Sequence, residues 1–407
     1  MSVSVLKYGG SSVSNFDQIK DIARYIQKRV DQGDQCIVVV SAMGKTTDQL
    51  LASVANLTPD PKNEDLALLL STGEQQSVSY LSLVLNDLGV KSKSLTGYQA
   101  GIQTSGHVLK SKIKAMDPGL FHDKLKDYDC LVVAGFQGVN QDSDMTTLGR
   151  GGSDTTAVAI AASLKAPCEI YTDVPGVFAT DPRIFPSAPK LELITYEEMM
   201  ELSALGAGVL ESRSVEIAKN YGVKIYLGQT LSDQGGTWVV AEEELFEKKA
   251  VTGVALDMGM SHITMTYPEQ NIVLLRRLFE FLQENEINVD MISQIDNDQA
   301  LQFSFTYQSD ESNTLSHWLQ DLKEDYPDLS YVISNHYAKI SLVGSGMREM
   351  SGVASKAFMA LINQAIPFYQ TTTSEISISY VIDRDKSDQA VASLCQAFGI
   401  TEEDIND

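Results

Sequence analysis

The chain has 407 residues, of which 43% are apolar and 21% charged, as expected of a globular protein with two or three domains. Its net charge of −23 argues against nucleic acid and anionic membrane as partners, because both require a basic protein face. No apolar run reaches the length of a membrane span, and Val3 to Lys7 is typical of a strand, not of a signal peptide.

The cysteines and histidines indicate neither disulfides nor a protein-built metal site. The four cysteines lack paired spacing, and Cys36, Cys130 and Cys168 lie in or beside apolar, strand-like runs. Buried free thiols of this kind are typical of a reducing compartment, so we expect a cytoplasmic protein. The five histidines are scattered, without the clustering of metal ligands.

Strands and helices are predicted to alternate through the first two-thirds of the chain. Continuous apolar runs predict buried strands, namely Val3 to Tyr8, Gln35 to Ser41, Asp129 to Gly135, Glu169 to Thr172 and Val223 to Leu227. Apolar residues at helical spacing predict helices over Phe16 to Val30, Leu66 to Leu88, Tyr196 to Leu205 and Ser214 to Tyr221. This order predicts an α/β fold with an open, mostly parallel sheet, which binds ligands outside the carboxyl ends of its strands.

One glycine-rich stretch, Leu148 to Ala157, has the composition of an anion site. Three glycines and Arg150 precede Ser153, Asp154 and Thr155, residue types that are preferred as helix N-caps. Backbone N–H groups at such a helix start approach an anion closely, and a planar guanidinium binds a carboxylate or phosphate in bidentate fashion. Taken alone, the stretch is explained equally well as a glycine turn before a capped helix.

Two further loops follow predicted strands. Lys7 to Ser12, Lys-Tyr-Gly-Gly-Ser-Ser, suits a polyphosphate, although a strand ending in a tight turn is the plainer interpretation. Thr172 to Arg183 is dense in turn formers, as in a loop on the rim of a sheet. A Walker A loop is not supported, because position 39, where that motif needs its first glycine before Gly44-Lys45-Thr46, is Val39.

Five motifs occur in order along the chain: Lys7 to Ser12, Ser41 to Gly44 with Thr47-Asp48, Thr72 to Glu74, Gly149 to Asp154 and Thr172 to Gly176. Together they resemble the motifs of aspartate kinases in the amino-acid-kinase superfamily, and the resemblance covers essentially the whole chain. It implies transfer of the ATP γ-phosphoryl group to the β-carboxylate of L-aspartate, giving 4-phospho-L-aspartate, the first step of lysine, threonine and methionine biosynthesis. Mg²⁺ would be bound through the nucleotide phosphates.

The resemblance also assigns roles to residues. It implies Lys7 and Asp154 as catalytic residues, and it places substrate contacts at Ser41, Thr47, Glu74, Arg150 and Ser153. The nucleotide contacts that it implies are Lys7, Gly9, Gly10, Ser11, Thr172, Asp173, Phe178 and Arg183. A carboxylate acceptor is already deprotonated at pH 7, so no general base is required and catalysis amounts to positioning and charge neutralisation.

The chain departs from many relatives at two places. Phe178 stands where many carry Tyr, which removes a hydroxyl near the nucleotide. Gly208 stands where some carry a nucleotide-side lysine, and Glu211-Ser212 stands where many carry His-Pro. Positions 208 to 212 are therefore not included among the nucleotide contacts.

Beyond Thr230 the chain repeats itself. Ile263 to Tyr267 and Ala338 to Val343 are predicted strands, each followed by a helix and two more strands, and the matching apolar pairs are Phe279 and Phe358, Leu282 and Leu361, and Ile287 and Ile366. The duplicated unit resembles paired α+β ferredoxin-like ACT domains. We predict a catalytic domain over 1–230, a linker over 231–250 with a surface helix from Ala241 to Lys249, and ACT-like domains over 251–333 and 334–407.

In that family ACT domains pair between subunits and bind amino-acid effectors, which implies a homodimer or higher oligomer and a possible effector. Relatives that bind lysine or threonine commonly carry Asp-x-Pro-Gly before the first ACT helix, where this chain has Gln270, Asn271, Ile272 and Val273. Ile295 replaces an often polar residue, and Ser351-Gly352 replaces Pro-Gly in the second unit. We therefore predict that these units mainly hold the dimer and that lysine and threonine inhibit weakly or not at all. The competing interpretation is that a shifted residue, such as Glu269, supplies the carboxylate.

Two other functions compete with aspartate kinase. A sister phosphotransferase acting on glutamate, acetylglutamate or UMP is disfavoured by the full motif set and the tandem ACT-like tail. A catalytically inactive amino-acid sensor is disfavoured because Lys7, Arg150 and Asp154 are all present.

Overall fold

The computed structural model describes residues 3–206, 208–245, 247–269, 271–297 and 300–401. Contacts divide the chain into two compact units. The first comprises Met1–Phe178, Lys190–Ala204 and Gly208–Glu247, and the second comprises Ala179–Pro189, Leu205–Ala207 and Lys248–Asp407. Within the described ranges, no helix combines the length and apolarity that crossing a membrane requires.

The first unit alternates strands and helices. Its strands are β1 (Val3–Tyr8), β2 (Gln35–Val40), β3 (Ser92–Leu95), β4 (Gln103–Ser105), β5 (Lys112–Ala115), β6 (Cys130–Ala134), β7 (Gln137–Val139), β8 (Met145–Thr147), β9 (Cys168–Thr172), β10 (Leu193–Thr195), β11 (Ile225–Gln229) and β12 (Thr237–Val240). Its helices are α1 (Phe16–Asp31), α2 (Thr46–Ala55), α3 (Asn63–Asp87), α4 (Pro118–Lys124), α5 (Gly152–Leu164), α6 (Tyr196–Ala204) and α7 (Ser212–Tyr221).

The main sheet has eight strands in the order β10-β12-β11-β9-β1-β2-β6-β3. All its pairings are parallel except that of β11 with β12. The predicted open, mostly parallel sheet is therefore confirmed. Because β1, β2 and β9 are parallel neighbours, the loops that follow Tyr8, Val40 and Thr172 leave the same edge of the sheet.

The hydrophobic core explains why the apolar runs form central strands. Val38 and Val40 of β2, Val132 of β6 and Ile22 and Ile26 of α1 are buried in one cluster. A strand buried on both faces requires continuous apolar residues, and β2 and β6 have them. A second sheet, in the order β5-β4-β7-β8, was not predicted, because its strands are only three or four residues long and carry polar residues.

The second unit contains two α+β repeats, as predicted. The first is β14 (Met260–Tyr267), α8 (Ile272–Glu284), β15 (Val289–Asn297), β16 (Ala300–Gln308), α9 (Ser312–Asp325) and β17 (Ser330–Ser334), with the sheet order β15-β16-β14-β17. The second is β18 (Tyr337–Val343), α10 (Val353–Asn363), β19 (Phe368–Thr373), β20 (Ser377–Asp383) and α11 (Ser387–Ala397). The matched residues Leu282 and Leu361, and Ile287 and Ile366, are all buried.

The second repeat completes its sheet with a strand from earlier in the chain. β13 (Gly253–Asp257) pairs antiparallel with β18, giving the order β13-β18-β20-β19. The proposed domain boundaries stay a prediction, but 251–333, proposed as the first ACT-like domain, includes this strand of the other sheet.

The predicted surface helix from Ala241 to Lys249 is wrong. Glu242–Glu244 forms a single 3₁₀ turn, and Lys248 and Lys249 lie outside any helix. The segment is shorter than the roughly 12 residues that an isolated helix needs, and it lacks an apolar stripe that tertiary packing would stabilise.

Candidate active site

The glycine-rich stretch links β8 to α5. Gly149 and Gly151 have φ angles of +77° and +65°, which glycine adopts without the steric cost that a side chain brings. The preference of Ser153, Asp154 and Thr155 for the N-cap is not realised, because the N-cap of α5 is Gly151, with no side-chain cap hydrogen bond, and those residues lie in the first turn. The N–H groups at this helix start are therefore not capped by a side chain, as an anion site requires.

Lys7 and Asp154 form a buried ion pair. Their Nζ and Oδ1 atoms lie 2.6 Å apart, and the two side chains are 10% and 12% exposed. Lys7 reaches this position from the penultimate residue of β1, and Asp154 from the first turn of α5. The pair thus places one cation at the carboxyl end of the central strands.

A cavity of about 280 Å³ surrounds this pair. It brings together predicted residues from four of the five motifs, namely Lys7, Gly10, Ser41, Thr47, Glu74, Arg150, Ser153 and Asp154. Close backbone packing closes its wall: Gly44 N donates to Gly10 O at 3.0 Å, and a Cβ on Gly10 would lie 2.9 Å from Ala42 O. Cationic and anionic groups therefore face a space of the size of a small amino acid.

Glu74 is the second buried carboxylate of this cavity, beside Asp154. It projects from α3, is 3% exposed, and accepts a hydrogen bond from Ala42 N at 3.1 Å through Oε1. Oε2 is buried and has no hydrogen-bond partner. Burial raises the pKa of Glu74 to about 7, against the lowering effect of backbone hydrogen bonds. Glu74 therefore has a free acceptor for a cationic group on a ligand.

The predicted phosphate loop packs against β9. Gly9 N donates to Tyr171 O at 3.2 Å, and Thr230 Oγ1 lies 2.6 Å from Ser12 Oγ and donates to Thr172 O at 3.0 Å. Gly9, Ser11, Thr172 and Asp173 thus lie at the same sheet edge as Lys7.

The other predicted nucleotide residues do not line the 280 Å³ cavity. Its lining does not include Gly9, Ser11, Thr172, Asp173 or Phe178. Phe178 is half-buried and forms an isolated β-bridge with Lys190. Arg183 belongs to the other compact unit, where its guanidinium pairs with Asp181 at 2.6 Å.

Sequence reasoning missed Gly135 and Phe136, which follow β6. A Cβ on Gly135 would lie 2.6 Å from Ser153 Oγ, so only glycine allows the first turn of α5 to come this close. Phe136 lines the cavity with a φ of +69°, and its O accepts from Leu148 N at 2.8 Å. Their position directly after a buried strand was the signal that would have indicated them.

A second cavity, of about 420 Å³, shares Arg150, Gly151 and Asp154 with the first. Its other wall is formed by Ser203, Ala204 and Gly208 to Ser212. Residues 208 to 212 were not predicted as nucleotide contacts, and they line this cavity beside the glycine loop. Contacts between residues about 60 positions apart carry no local sequence signal.

Comparison with known proteins matches one family largely in the first unit and another in the second unit. Residues 2–229 match the amino acid kinase family, and residues 340–398 match the ACT domain. An aspartokinase of Geobacillus stearothermophilus is 41% identical over 405 residues, which cover 99% of this chain and 98% of that protein. Aspartokinase 2 of Bacillus subtilis is 39% identical over 402 residues, 98% of both chains.

Solved structures also match. Escherichia coli aspartokinase III, in complex with aspartate and ADP, superposes with a TM-score of 0.78 at 20% identity, covering 98% of this chain and all of that one. This similarity concerns the fold alone. Synechocystis aspartate kinase is 37% identical, with a TM-score of 0.54, and the match covers 98% of this chain and 70% of that one.

Proposed function

This chain belongs to the aspartokinases of the amino acid kinase family, and from that premise we propose how its residues transfer phosphoryl from ATP to the β-carboxylate of aspartate. The enzyme is an ATP-dependent kinase with a carboxyl acceptor. The observation that carries the residue assignment is the single cavity that collects Lys7, Glu74, Arg150 and Asp154.

The amino acid is held by its charged ends. Arg150 binds the α-carboxylate through its planar guanidinium, and the free Oε2 of Glu74 accepts from the α-ammonium. Ser41, Thr47 and Ser153 supply further hydrogen bonds, since all three line the same cavity. Both charged ends are thereby fixed, which directs the β-carboxylate towards Lys7.

Lys7 stabilises the charge that develops on the transferring phosphoryl group. Asp154 holds the Lys7 ammonium in place at 2.6 Å. The uncapped start of α5 and the N–H groups of Gly10 and Ser11 provide donors for phosphate oxygens, and Gly9, whose N–H is bonded to Tyr171 O, lets the phosphates approach the backbone closely. Thr172, Asp173 and Phe178 contact the rest of the nucleotide in this proposal, whereas the role of Arg183, which belongs to the other compact unit, stays a prediction.

Mg²⁺ is proposed to arrive with the nucleotide. Among the described residues no three or more His, Cys, Asp or Glu side chains are grouped to hold a metal. Mg²⁺ is commonly bound by one or two carboxylates together with substrate phosphates, so this donor set fits a nucleotide-borne ion, with Asp154 as the nearby carboxylate. When bound, the ion neutralises phosphate charge.

The second unit supports two further proposals. The exposed apolar residues Ile272, Phe279, Ile292 and Ile295 of the first repeat suit an interface between two copies of the chain. A solved structure of E. coli aspartokinase III contains lysine as well as aspartate, which makes an amino-acid effector reasonable here. We propose cytoplasmic localisation because the four cysteines are free and buried.

Hydroxylamine trapping of the acyl phosphate tests the function. The purified enzyme with Mg-ATP is incubated with L-aspartate, L-glutamate or N-acetylglutamate, and UMP phosphorylation is followed separately. We expect a hydroxamate with aspartate alone. A hydroxamate with another acceptor, or none with any, would contradict the proposal.

A further inference from the structure

The first turn of α7 contacts the glycine loop through Arg213. Its Nη1 donates to Leu148 O at 3.1 Å, and its Nη2 donates to Ser111 O at 3.0 Å. The side chain is half-buried, and both acceptors are main-chain carbonyls. One guanidinium therefore fixes two backbone segments at once.

These two segments are already bonded to each other. Ser111 donates from N and from Oγ to Thr147 O, both at 2.9 Å. Thr147 in turn donates to Val108 O at 2.8 Å and, through Oγ1, to Leu109 O at 2.8 Å. Arg213 extends this network by one residue, to Leu148, where the glycine loop begins.

Glu211 contacts the same loop one residue beyond Arg150. A Cβ added to Gly151 would lie 2.4 Å from the Glu211 Cβ. Glu211 is the N-cap residue of α7, so this contact and the Arg213 contacts come from a single helix start. The loop is thus held at Leu148 and at Gly151, on either side of Arg150.

We propose that Arg213 is a positioning residue for phosphoryl transfer, which holds the glycine loop so that Arg150 and Asp154 keep their places. This inference rests on the proposed roles of those two residues. Three glycines make the loop conformationally free, so an external constraint is needed to keep the geometry. A displacement of about 1 Å at a reacting group costs roughly a hundredfold in rate.

The test compares Arg213→Met and Arg213→Lys with the parent enzyme. Met keeps an unbranched side chain but donates no hydrogen bond. Lys keeps the positive charge and a hydrogen-bond donor, but its compact ammonium lacks the planar guanidinium geometry that reaches two carbonyls. We expect Arg213→Met to lower kcat/KM for aspartate by about ten- to a hundredfold. Arg213→Lys should recover part of that loss. The ATP KM should change less than the aspartate KM, because the start of α5 supplies only part of the proposed phosphate contacts and the rest lie on other loops.

Hydrogen exchange supplies a readout that does not depend on the substrate. In Arg213→Met, amides 148 to 154 should exchange faster while those of β1 and β9 stay protected. Arg24→Met is the matched control, because Arg24 is exposed and forms a local ion pair with Asp21 on α1. It should leave both exchange and kinetics at parent values.

Two outcomes would overturn the inference. One is unchanged exchange at 148 to 154 with kinetics like those of Arg24→Met. The other is a general destabilisation by Arg213→Met, in which the melting temperature falls and amides throughout the first unit exchange faster. If the KM values for aspartate and ATP then change equally, Arg213 has a structural role only. If the parent does not phosphorylate aspartate, the proposed function fails, but the exchange data still decide whether Arg213 holds the loop.

Discussion

Lys7 and Asp154 depend on each other because both are buried, with 10% and 12% of their side chains exposed. Removing one partner of such a pair leaves an uncompensated charge, which commonly costs about 3–5 kcal/mol of stability. A variant of either residue therefore has two effects, one on folding and one on the reaction. The two effects are separable by removing both charges together.

We predict that Lys7→Ala lowers kcat by orders of magnitude, since losing a transition-state cation costs about 3 kcal/mol or more. The ATP KM should change less than kcat, because the charge that Lys7 meets develops during transfer. Steady-state kinetics measures both, and a kcat within a few-fold of the parent would refute the role. The double variant Lys7→Met/Asp154→Asn should regain stability in thermal unfolding and stay inactive.

Arg150→Lys replaces a planar fork by a point charge. We expect the aspartate KM to rise steeply and the ATP KM to move little, because a carboxylate matches guanidinium geometry in bidentate fashion. Initial rates at varied aspartate and varied ATP distinguish the two constants. A parallel rise of both would instead assign Arg150 to the nucleotide.

Glu74 should make aspartate capture dependent on pH. Burial raises its pKa to about 7, so in the free enzyme the carboxyl is neutral below that pH and cannot pair with the ammonium. We predict that kcat/KM for aspartate falls as the pH drops below about 7, and that Glu74→Gln has a low, flat profile in this range.

The raised pKa of Glu74 also affects folding stability, which it favours at low pH, whereas aspartate capture is favoured at high pH. The raised pKa means that the folded protein favours the neutral carboxyl, so this contribution is present below the ordinary value of 4.5 and is lost as pH rises through about 7. The free energy of unfolding of Glu74→Gln should therefore vary less with pH between these values. Denaturant titrations at pH 5 and pH 8 measure the difference, and an identical pH dependence in the parent and the variant would contradict a raised pKa.

At the scale of elements, the starts of α5 and α8 differ in whether a side chain caps their first N–H groups. The N-cap residue of α5 is Gly151, which provides no side-chain cap, whereas the N-cap residue of α8 is Asn271, whose Oδ1 accepts from Leu274 N at 3.0 Å. Ile272 and Val273, which stand at the Pro-Gly positions of effector-binding relatives, are 78% and 56% exposed. Gln270, at the aspartate position, lies outside the described residues.

We therefore predict that lysine and threonine, alone or together, inhibit weakly or not at all. One N–H at the start of α8 is already bonded to Asn271, and charge-assisted hydrogen bonds worth about 1.5–3 kcal/mol each are missing. Activity is titrated with each amino acid, and arginine serves as the charge-matched control for lysine. Half-inhibition below about 1 mM, within the usual range of metabolite sites, would contradict the prediction.

At the scale of the whole molecule, we predict a homodimer formed through the first repeat. β15 is an edge strand of its sheet, and its Ile292 and Ile295 are 51% and 53% exposed. An exposed apolar edge strand readily pairs with another chain. Ile295→Asp should shift the sedimentation coefficient towards the monomer, because it places a charge in the interface.

Val332→Asp is the matched control for that experiment. Val332 is 63% exposed but lies on β17, the opposite edge of the same sheet. It should leave the dimer intact. Dissociation by Val332→Asp but not by Ile295→Asp would move the interface to the other edge.

The sequence by itself determined the class of fold and most of the chemistry. Continuous, β-branched apolar runs such as that of β2 are typical of strands covered on both faces, so they predicted a parallel sheet. The resemblance to aspartate kinases predicted Lys7, Ser41 and Asp154 in one site, and the three line one cavity. Parallel strands bring Lys7 and Ser41 to the same edge of the sheet. The residue types of the glycine-rich stretch were compatible with an anion site, and the resemblance to aspartate kinases supplied the ligand.

Only the tertiary structure decided which polar groups of the cavity lack a hydrogen-bond partner and which residues hold the site in place. The N-cap of α5, the raised pKa of Glu74 and the pairing of β13 with β18 depend on burial and on contacts far along the chain. Arg213 reaches carbonyls 65 and 102 residues away, beyond any local pattern. Local sequence preferences determine where helices and strands form. Burial and contacts between distant residues determine the protonation of Glu74, the hydrogen-bond donors left free and the geometry on which catalysis depends.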